Sequence, residues 1–278
     1  MKDFHMGFKV GVVGACGRMG LGIVKTILEQ DDLELVLAVD TKNVGEDVGE
    51  ITGVGKIGVK VSSSEDLEVD IKETGVALLV DFTSADAALN NTKTVAKNGV
   101  SIVIGTTGMD KQALEEIETV ISKSNASAVI SPNMAAGVNI FFKLARDAAK
   151  ALGPDYDTEI IEIHHQHKKD APSGTAVKVG DLIANATGRS LSKDGVHGRK
   201  GIVGERTKGE IGFHAVRAGD IVGEHTVIFA GQGERIELTH RAHSRDAFIN
   251  GVINAVRFIR DKGEAGRVYS TWDVLGIE

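Results

Sequence analysis

Short, nearly continuous apolar runs alternate with amphipathic ones through the first half of the chain, and few architectures accept that order. Residues 8–13, 33–39, 76–81, 101–104 and 128–131 read as strands buried on both faces. Between them, residues 19–29, 85–98 and 110–124 place apolar side chains at helical spacing. Apolar strands separated by helices predict a doubly wound parallel α/β sheet covered on both sides.

The second half follows a different rhythm. Residues 137–152 carry a helical period, residues 158–165 return to a strand, and residues 175–187 read as a helix. A polar, glycine-rich stretch covers residues 188–209. Three strand-like runs at 211–216, 221–230 and 235–240 then follow closely, and the short turns Ala218-Gly219-Asp220 and Gly231-Gln232-Gly233 predict antiparallel hairpins. Residues 247–261 are again helical in period, and residues 272–277 make a short apolar tail. The expected organisation is residues 1–134 plus 246–278 as a nucleotide-binding domain, with an α+β domain inserted over 135–245.

The segment Gly14-Ala15-Cys16-Gly17-Arg18-Met19-Gly20 follows a strand and opens a helix. Glycines at such a junction permit a tight turn and let backbone amides approach a pyrophosphate at the helix N-terminus. The spacing is G-x-x-G-x-x-G, so a plain strand–turn–helix connection remains an alternative. The next strand runs up to Asp40, where an acid can accept hydrogen bonds from adenosine ribose hydroxyls. Asp40 disfavours a 2′-phosphate and Lys42 attracts one, so NADH is somewhat favoured and use of both NADH and NADPH stays open. Gly105, Thr106 and Thr107 follow one strand, and Ser131, Pro132, Asn133 and Met134 follow another. Ligands of open α/β sheets bind at that carboxyl edge, so these loops are candidates to complete a cofactor trough.

The stretch from Glu162 to Thr175 holds His164, His165, His167, Lys168 and Lys169 near the end of a strand, then Ser173-Gly174-Thr175 at a helix start. Helix-start amides suit a carboxylate, histidine donates a proton near neutral pH, and lysine pairs with anions. Three readings compete: an acid/base and anion-binding site, a solvated basic strand end, and a metal site. The two lysines would repel a dication and no acidic or thiolate ligand set is evident, so no metal is expected. Alternation sends His164 and His165 to opposite faces. His5, His197, His214 and His225 stand alone in the sequence and read as structural or surface residues.

Composition narrows the class. Hydrophobic residues at 42% and charged residues at 26% are those of an ordinary folded protein. The formal charge of −7 argues against nonspecific nucleic-acid binding. A single cysteine, Cys16, rules out an internal disulfide and fits a reducing compartment. No apolar run approaches the ~20 residues of a membrane span, and Gly11, Gly14, Gly17 and Arg18 interrupt any signal-peptide core. A cytoplasmic enzyme without nucleic-acid or membrane partners is the expectation.

At the histidine–lysine segment the sequence resembles the 4-hydroxy-tetrahydrodipicolinate (dihydrodipicolinate) reductase family. The likeness extends through the Gly14–Gly20 turn, Asp81-Phe82-Thr83, Gly105 to Gly108, Asn133, Gly137-Val138-Asn139, Ile211-Gly212-Phe213, Arg217 to His225, and Ser244-Arg245. It implies a Rossmann-type cofactor domain, a substrate domain whose sheet builds a homotetramer, and reduction of a cyclic dicarboxylic imine by NADH or NADPH in lysine and diaminopimelate biosynthesis. By the same resemblance His164 is the general acid, Lys168 the catalytic lysine, and His165, Gly174 and Thr175 the holders of substrate carboxylates. Thr41 and Ser84 stand where some members carry arginine, and Met134 where some carry an aromatic residue. Two other readings stay open: a related reductase of another small amino dicarboxylate, and a nicotinamide-binding sensor without catalysis.

Overall fold

The computed structural model describes residues 7–277, so His5 lies outside the described residues. Residues up to Ala136, together with those from Asp246 onward, make one compact unit, and Gly137–Arg245 make a second.

The first unit is built on seven strands: β1 (Phe8–Val13), β2 (Leu33–Val39), β3 (Val61–Ser62), β4 (Leu78–Asp81), β5 (Ser101–Ile104), β6 (Ala128–Ile130) and β12 (Val268–Tyr269). Their order is β12-β6-β5-β4-β1-β2-β3, and every pairing is parallel. The order reverses at β1, which lies between β4 and β2. This is a Rossmann-type sheet with its switch point at the end of β1.

Side-chain parity explains the double cover. Val10, Val12, Leu78, Val80, Val103 and Val129 enter one core with Ile23, Val24 and Ile27 of α1 (Arg18–Leu28) and Val252, Ile253 and Val256 of α9 (Asp246–Lys262). Their alternates Val13, Leu79, Ile102, Ile104 and Ala128 enter a second core with α3 (Leu67–Thr74), α4 (Ala85–Lys97) and α5 (Lys111–Ser122). Both faces of these strands are packed against helices, hence the nearly continuous apolar runs. Side-chain caps fix where the helices start: Ser84 accepts from Ala87 N and Asp110 from Ala113 N.

Residues 41–75, unassigned by periodicity, contain α2 (Val48–Thr52), β3 and α3. The buried carboxylate of Asp47 organises this stretch by accepting from the amides of Gly49, Ile57 and Gly58. Just before the apolar tail β12 extends the sheet, and most of the tail is taken up by α10 (Thr271–Leu275), where Ser270 and Asp273 form a capping box.

The second unit contains α6 (Ala136–Leu152), β7 (Asp157–His164), α7 (Gly174–Ala186), α8 (Leu191–Asp194), β8 (Gly195–His197), β9 (Ile211–Arg217), β10 (Gly223–Gly231) and β11 (Glu234–Ala242). Its sheet has the order β11-β10-β7-β9-β8. The expected β10–β11 hairpin forms, but the expected hairpin across Ala218-Gly219-Asp220 does not. Strand β7 lies between β9 and β10, parallel to the first and antiparallel to the second. A loop over two strand spacings needs to span only about 10 Å, which the few residues after β9 readily do. Thr158, Ile160, Glu162 and His164 form the buried side of β7.

Gly251 on α9 marks a close backbone approach within the first unit: a Cβ there would lie 1.9 Å from the carbonyl oxygen of Met134. Backbone cannot yield as a side chain does, so Gly251→Ala is expected to destabilise by about 1–3 kcal/mol. A lowered urea midpoint with an unchanged slope would register this; an unchanged midpoint would refute the contact.

Candidate active site

In the first unit the expected cofactor residues gather at the switch point. A cavity of about 430 Å³ is lined by Gly17, Arg18, Met19, Gly105, Thr106, Thr107, Ser131, Pro132, Asn133 and Met134. A second cavity of about 310 Å³ is lined by Gly14, Gly17 and Asp40, with Thr41 and Ser84. Phe82 and Thr83 line both and were not among the expected cofactor residues. Ala15 is fully buried, and neither it nor Cys16 lines either cavity.

Local geometry explains the glycines. Gly14 has φ +80°, and a Cβ on it would lie 2.6 Å from Phe82 O. A Cβ on Gly20 would lie 2.0 Å from Gly14 O, so α1 can start tight against the turn only with glycine at both places. The amides of Gly14 and Ala15 bond Val39 O, that of Gly17 bonds Gly14 O, and that of Cys16 bonds Asp40 Oδ2 at 2.9 Å. Those of Arg18 and Met19 are left in the first helical turn, behind an N-cap with no side-chain cap, and that turn contains no acidic residue of its own. This is the anion-attracting end of the turn. The other Asp40 oxygen accepts from Lys42 N at 3.0 Å, and a carboxylate keeps further lone pairs for hydroxyl donors. Burial, with Asp40 and Glu46 close by, pushes the Cys16 thiol up to about 11, so it stays protonated and a poor nucleophile.

A residue that sequence reasoning passed over fixes this crevice. Asp81 is fully buried at the end of β4. Its carboxylate accepts from Thr83 N at 3.0 Å, Thr83 Oγ1 at 2.7 Å, Thr106 Oγ1 at 3.0 Å and Asn91 Nδ2 at 2.7 Å. One side chain thereby ties the loops after β4 and β5 to α4. The only sequence signal was its place in the Asp81-Phe82-Thr83 run.

In the second unit the strand end carries a buried polar network. His164 Nδ1 lies 2.5 Å from Glu162 Oε2. Arg217 of β9 grips both Glu162 oxygens at 2.7 and 2.8 Å, and Ser173 N donates to Oε1 at 3.0 Å. Ser173 is also the N-cap of α7, accepting from Ala176 N, and its hydroxyl lies 2.9 Å from His225 Nε2. The His225 ring meets that of His164 edge-on at 5.1 Å. His225, solitary in the sequence, is therefore a buried neighbour of His164. His214 pairs with Glu159 at 2.7 Å and His197 stacks on Phe213.

Lys168 is half-buried with Nζ 3.0 Å from Asp170 Oδ2. His165 is half-buried and its Nδ1 has no hydrogen-bond partner. Gly174 and Thr175 open α7, where their amides lack intrahelical partners. A small anion with more than one carboxylate suits this combination of helix N-terminus, lysine and histidine. Glu162, Arg217 and Ser173 were not among the expected site residues. No group of three or more His, Cys, Asp or Glu among the described residues is arranged to hold a metal ion.

The ionisation of the network follows from its burial. Desolvation lowers the basicity of His164, Glu162 opposes this, and Lys168 and Arg217 add to the lowering, leaving it below an ordinary imidazole. Burial would raise the Glu162 carboxyl, but Arg217 and His164 outweigh it and hold it below the usual range. Burial, reinforced by His164, pushes His225 down to about 3, so it is neutral.

Comparison with known proteins covers almost the whole chain. Residues 8–134 match the family model of dihydrodipicolinate reductase, N-terminus, and residues 137–275 that of dihydrodipicolinate reductase, C-terminus. The chain is 54% identical to 4-hydroxy-tetrahydrodipicolinate reductase of Methanothermobacter thermautotrophicus, over 97% of this chain and 99% of that one. Identity with the enzyme of the same name from Methanocaldococcus jannaschii is 56%, over 97% of each. Among solved structures, dipicolinate-bound dihydrodipicolinate reductase from Paenisporosarcina sp. TG-14 superposes with a TM-score of 0.76 at 27% identity, covering 96% of this chain and 99% of that one.

A histidine kept neutral by the fold makes stability pH-dependent. Below an unfolded value near 6.5 the unfolded chain binds a proton that folded His225 refuses until about pH 3. Stability is therefore expected to fall as pH drops from about 6.5 towards 3. Urea midpoints at pH 7 and pH 5 check this, and His225→Gln should flatten the difference. A midpoint that rises on acidification would contradict it.

Proposed function

Because the chain belongs to the dihydrodipicolinate reductase family, we propose that it reduces 4-hydroxy-tetrahydrodipicolinate, through the cyclic imine, to tetrahydrodipicolinate. The observation that carries the reading is the strand end at His164, where a buried imidazole sits with Lys168 and the N-terminus of α7. The family places the step in lysine and diaminopimelate biosynthesis.

A nicotinamide dinucleotide supplies the hydride when bound. Its pyrophosphate fits the amides of Arg18 and Met19 at the Gly14–Gly20 turn, and its adenosine ribose fits Asp40. Gly105, Thr106, Thr107, Ser131, Pro132, Asn133 and Met134 would line the remainder. NADH is favoured over NADPH because the Asp40 carboxylate repels a 2′-phosphate, while Thr41 and Ser84 offer it no cation. Lys42 keeps NADPH usable.

In the substrate-binding unit, His165 and the amides of Gly174 and Thr175 take the ring carboxylates, and the hydroxyl of Thr175 adds a donor. The Lys168 ammonium offsets negative charge near the ring nitrogen or a carboxylate. His164 delivers a proton through Nε2 to the electron-rich, enamine-like product of reduction. Removing a positioned donor typically lowers a rate ~10²- to 10⁴-fold. No helix among the described residues is long and apolar enough to cross a membrane.

Freshly generated 4-hydroxy-tetrahydrodipicolinate, followed by nicotinamide absorbance with each cofactor, tests the activity; no turnover with either would refute it. His164→Gln should lower kcat ~10²-fold or more while leaving the cofactor Kd near wild type. Equal losses in both would reject the acid role. The resemblance also carries a homotetramer built by the second sheet. Ile161, Ile163, Thr226 and Ile228 form its less buried side, so sedimentation should give a tetramer for the wild type and smaller species for Ile161→Glu. A monomeric wild type would sink that part.

A further inference from the structure

Within the second unit, one carboxylate holds three separate segments. Glu162 is only 1% exposed, and both oxygens of its carboxylate accept hydrogen bonds. Arg217 clamps both oxygens and also donates to Asp170 O at 2.6 Å, on the turn that carries Lys168. The amide of Ser173 ties Glu162 to the start of α7. The remaining contact is His164 Nδ1. With both Arg217 contacts donating to Glu162, the carboxylate is ionised and the Nδ1 contact must be an N–H donating to it.

The His164 ring is thereby set with Nδ1–H on Glu162. Nε2 makes no hydrogen bond within the described residues. A side chain at position 223 would put its first carbon 3.0 Å from Nε2, so Gly223 keeps that nitrogen clear. The groups facing the ring are Glu162 from its own strand, Arg217 from β9, His225 from β10, and Lys168 with Asp170 from the following turn; His240 of β11 lies beyond His225. Arg217 and Lys168 both oppose a second proton on His164. Glu162 is the negative group in contact with the imidazole, and Asp170 is paired with Lys168.

We propose that Glu162, locked by Arg217, is a positioning residue of the reaction: it fixes the His164 tautomer with Nε2 free and stabilises the imidazolium that gives up the proton. The role rests on the reading of His164 as the acid. In the step, the Nε2–H bond breaks as a carbon–hydrogen or nitrogen–hydrogen bond forms on the reduced substrate. His164 is left neutral with Nδ1–H still on Glu162, and solvent restores the Nε2 proton. A buried carboxylate that sets a histidine's tautomer and stabilises its charged form plays this part in other acid–base sites.

The decisive measurements are histidine-selective ¹⁵N NMR of the full-length wild type and pH profiles of kcat/KM for variants. His164 Nδ1 should carry a hydrogen-bonded proton both below and above the ring's titration midpoint; an unprotonated Nδ1 overturns the proposal with no variant needed. Glu162→Gln should move the alkaline limb to lower pH, each unit of movement costing about tenfold in activity above it, with the cofactor Kd unmoved. Glu162→Asp keeps the charge against Arg217 and should recover part of the shift; it also serves if the glutamine variant does not fold. In a His164→Gln background, Glu162→Gln should cost nothing further in activity. A limb that stays in place, or an equal loss in both backgrounds, overturns the role. Full activity of His164→Gln alone would instead remove the acid reading, while the NMR result on Nδ1 would stand.

Discussion

The Glu162–Arg217 pair lies at the meeting point of strand, loop and helix in the second unit, and burying it is expensive. Removing a carboxylate from water costs several kcal/mol even after relaxation, and the attraction of a partner offsets this only when the remaining lone pairs are filled. Here two guanidinium donors, the Ser173 amide and the His164 ring fill them. Apolar packing of similar volume could hold β7 and β9 together without that cost. The polar solution stands where it orients the His164 ring and anchors the turn after β7 and the start of α7.

The first unit solves a similar problem with Asp81. Loops at the ends of parallel strands have no ladder of their own, and their shape depends on what they can bond locally. By accepting from Thr83, Thr106 and Asn91, one buried carboxylate makes two adjacent loops a single rigid wall. Gly105 completes the arrangement, since a Cβ there would lie 2.0 Å from the Phe82 ring. In both units a buried acid at a strand end is used to tie neighbouring segments together, Asp81 to the loops after β4 and β5 and Glu162 to β9 and the start of α7.

Much of this was legible in the residues. Two-sided burial leaves a plain trace in apolar runs, and residues of the glycine turn, Gly105–Thr107 and Ser131–Met134 sit at strand ends where the crevice must form. Short elements were not legible: α2, β3 and β8 have too few residues to establish a period, and Asp47 holds the first of these stretches through loop amides. The order of β9 and β10 was misread because a turn-forming tripeptide signals a reversal, not which strands pair. Glu162 and Arg217 escaped because their contact spans 55 positions, and an acid beside an apolar residue in a strand reads locally as solvent-facing. His225 was hidden in the same way, its partner Ser173 lying 52 positions away.

Register ties the chemistry of the second unit to its stability. Across the sheet, His240, His225, Glu162 and Ala215 share one row, while two positions along, on the same face, Ala242 pairs with Gly223 and His164 with Arg217. On β10 the residues on the buried side are Gly223, His225, Val227 and Phe229. Sliding β10 by one position would turn Phe229 and Val227 out of the core and put Glu224 or Thr226 where His225 now stands. The apolar pair therefore polices the placement of the polar one. Burial of two large side chains fixes the strand, and the strand then delivers a glycine and a neutral histidine to the ring of His164. The polar network need not supply the energy that holds its own sheet in register; it needs only to be satisfied where the apolar core puts it.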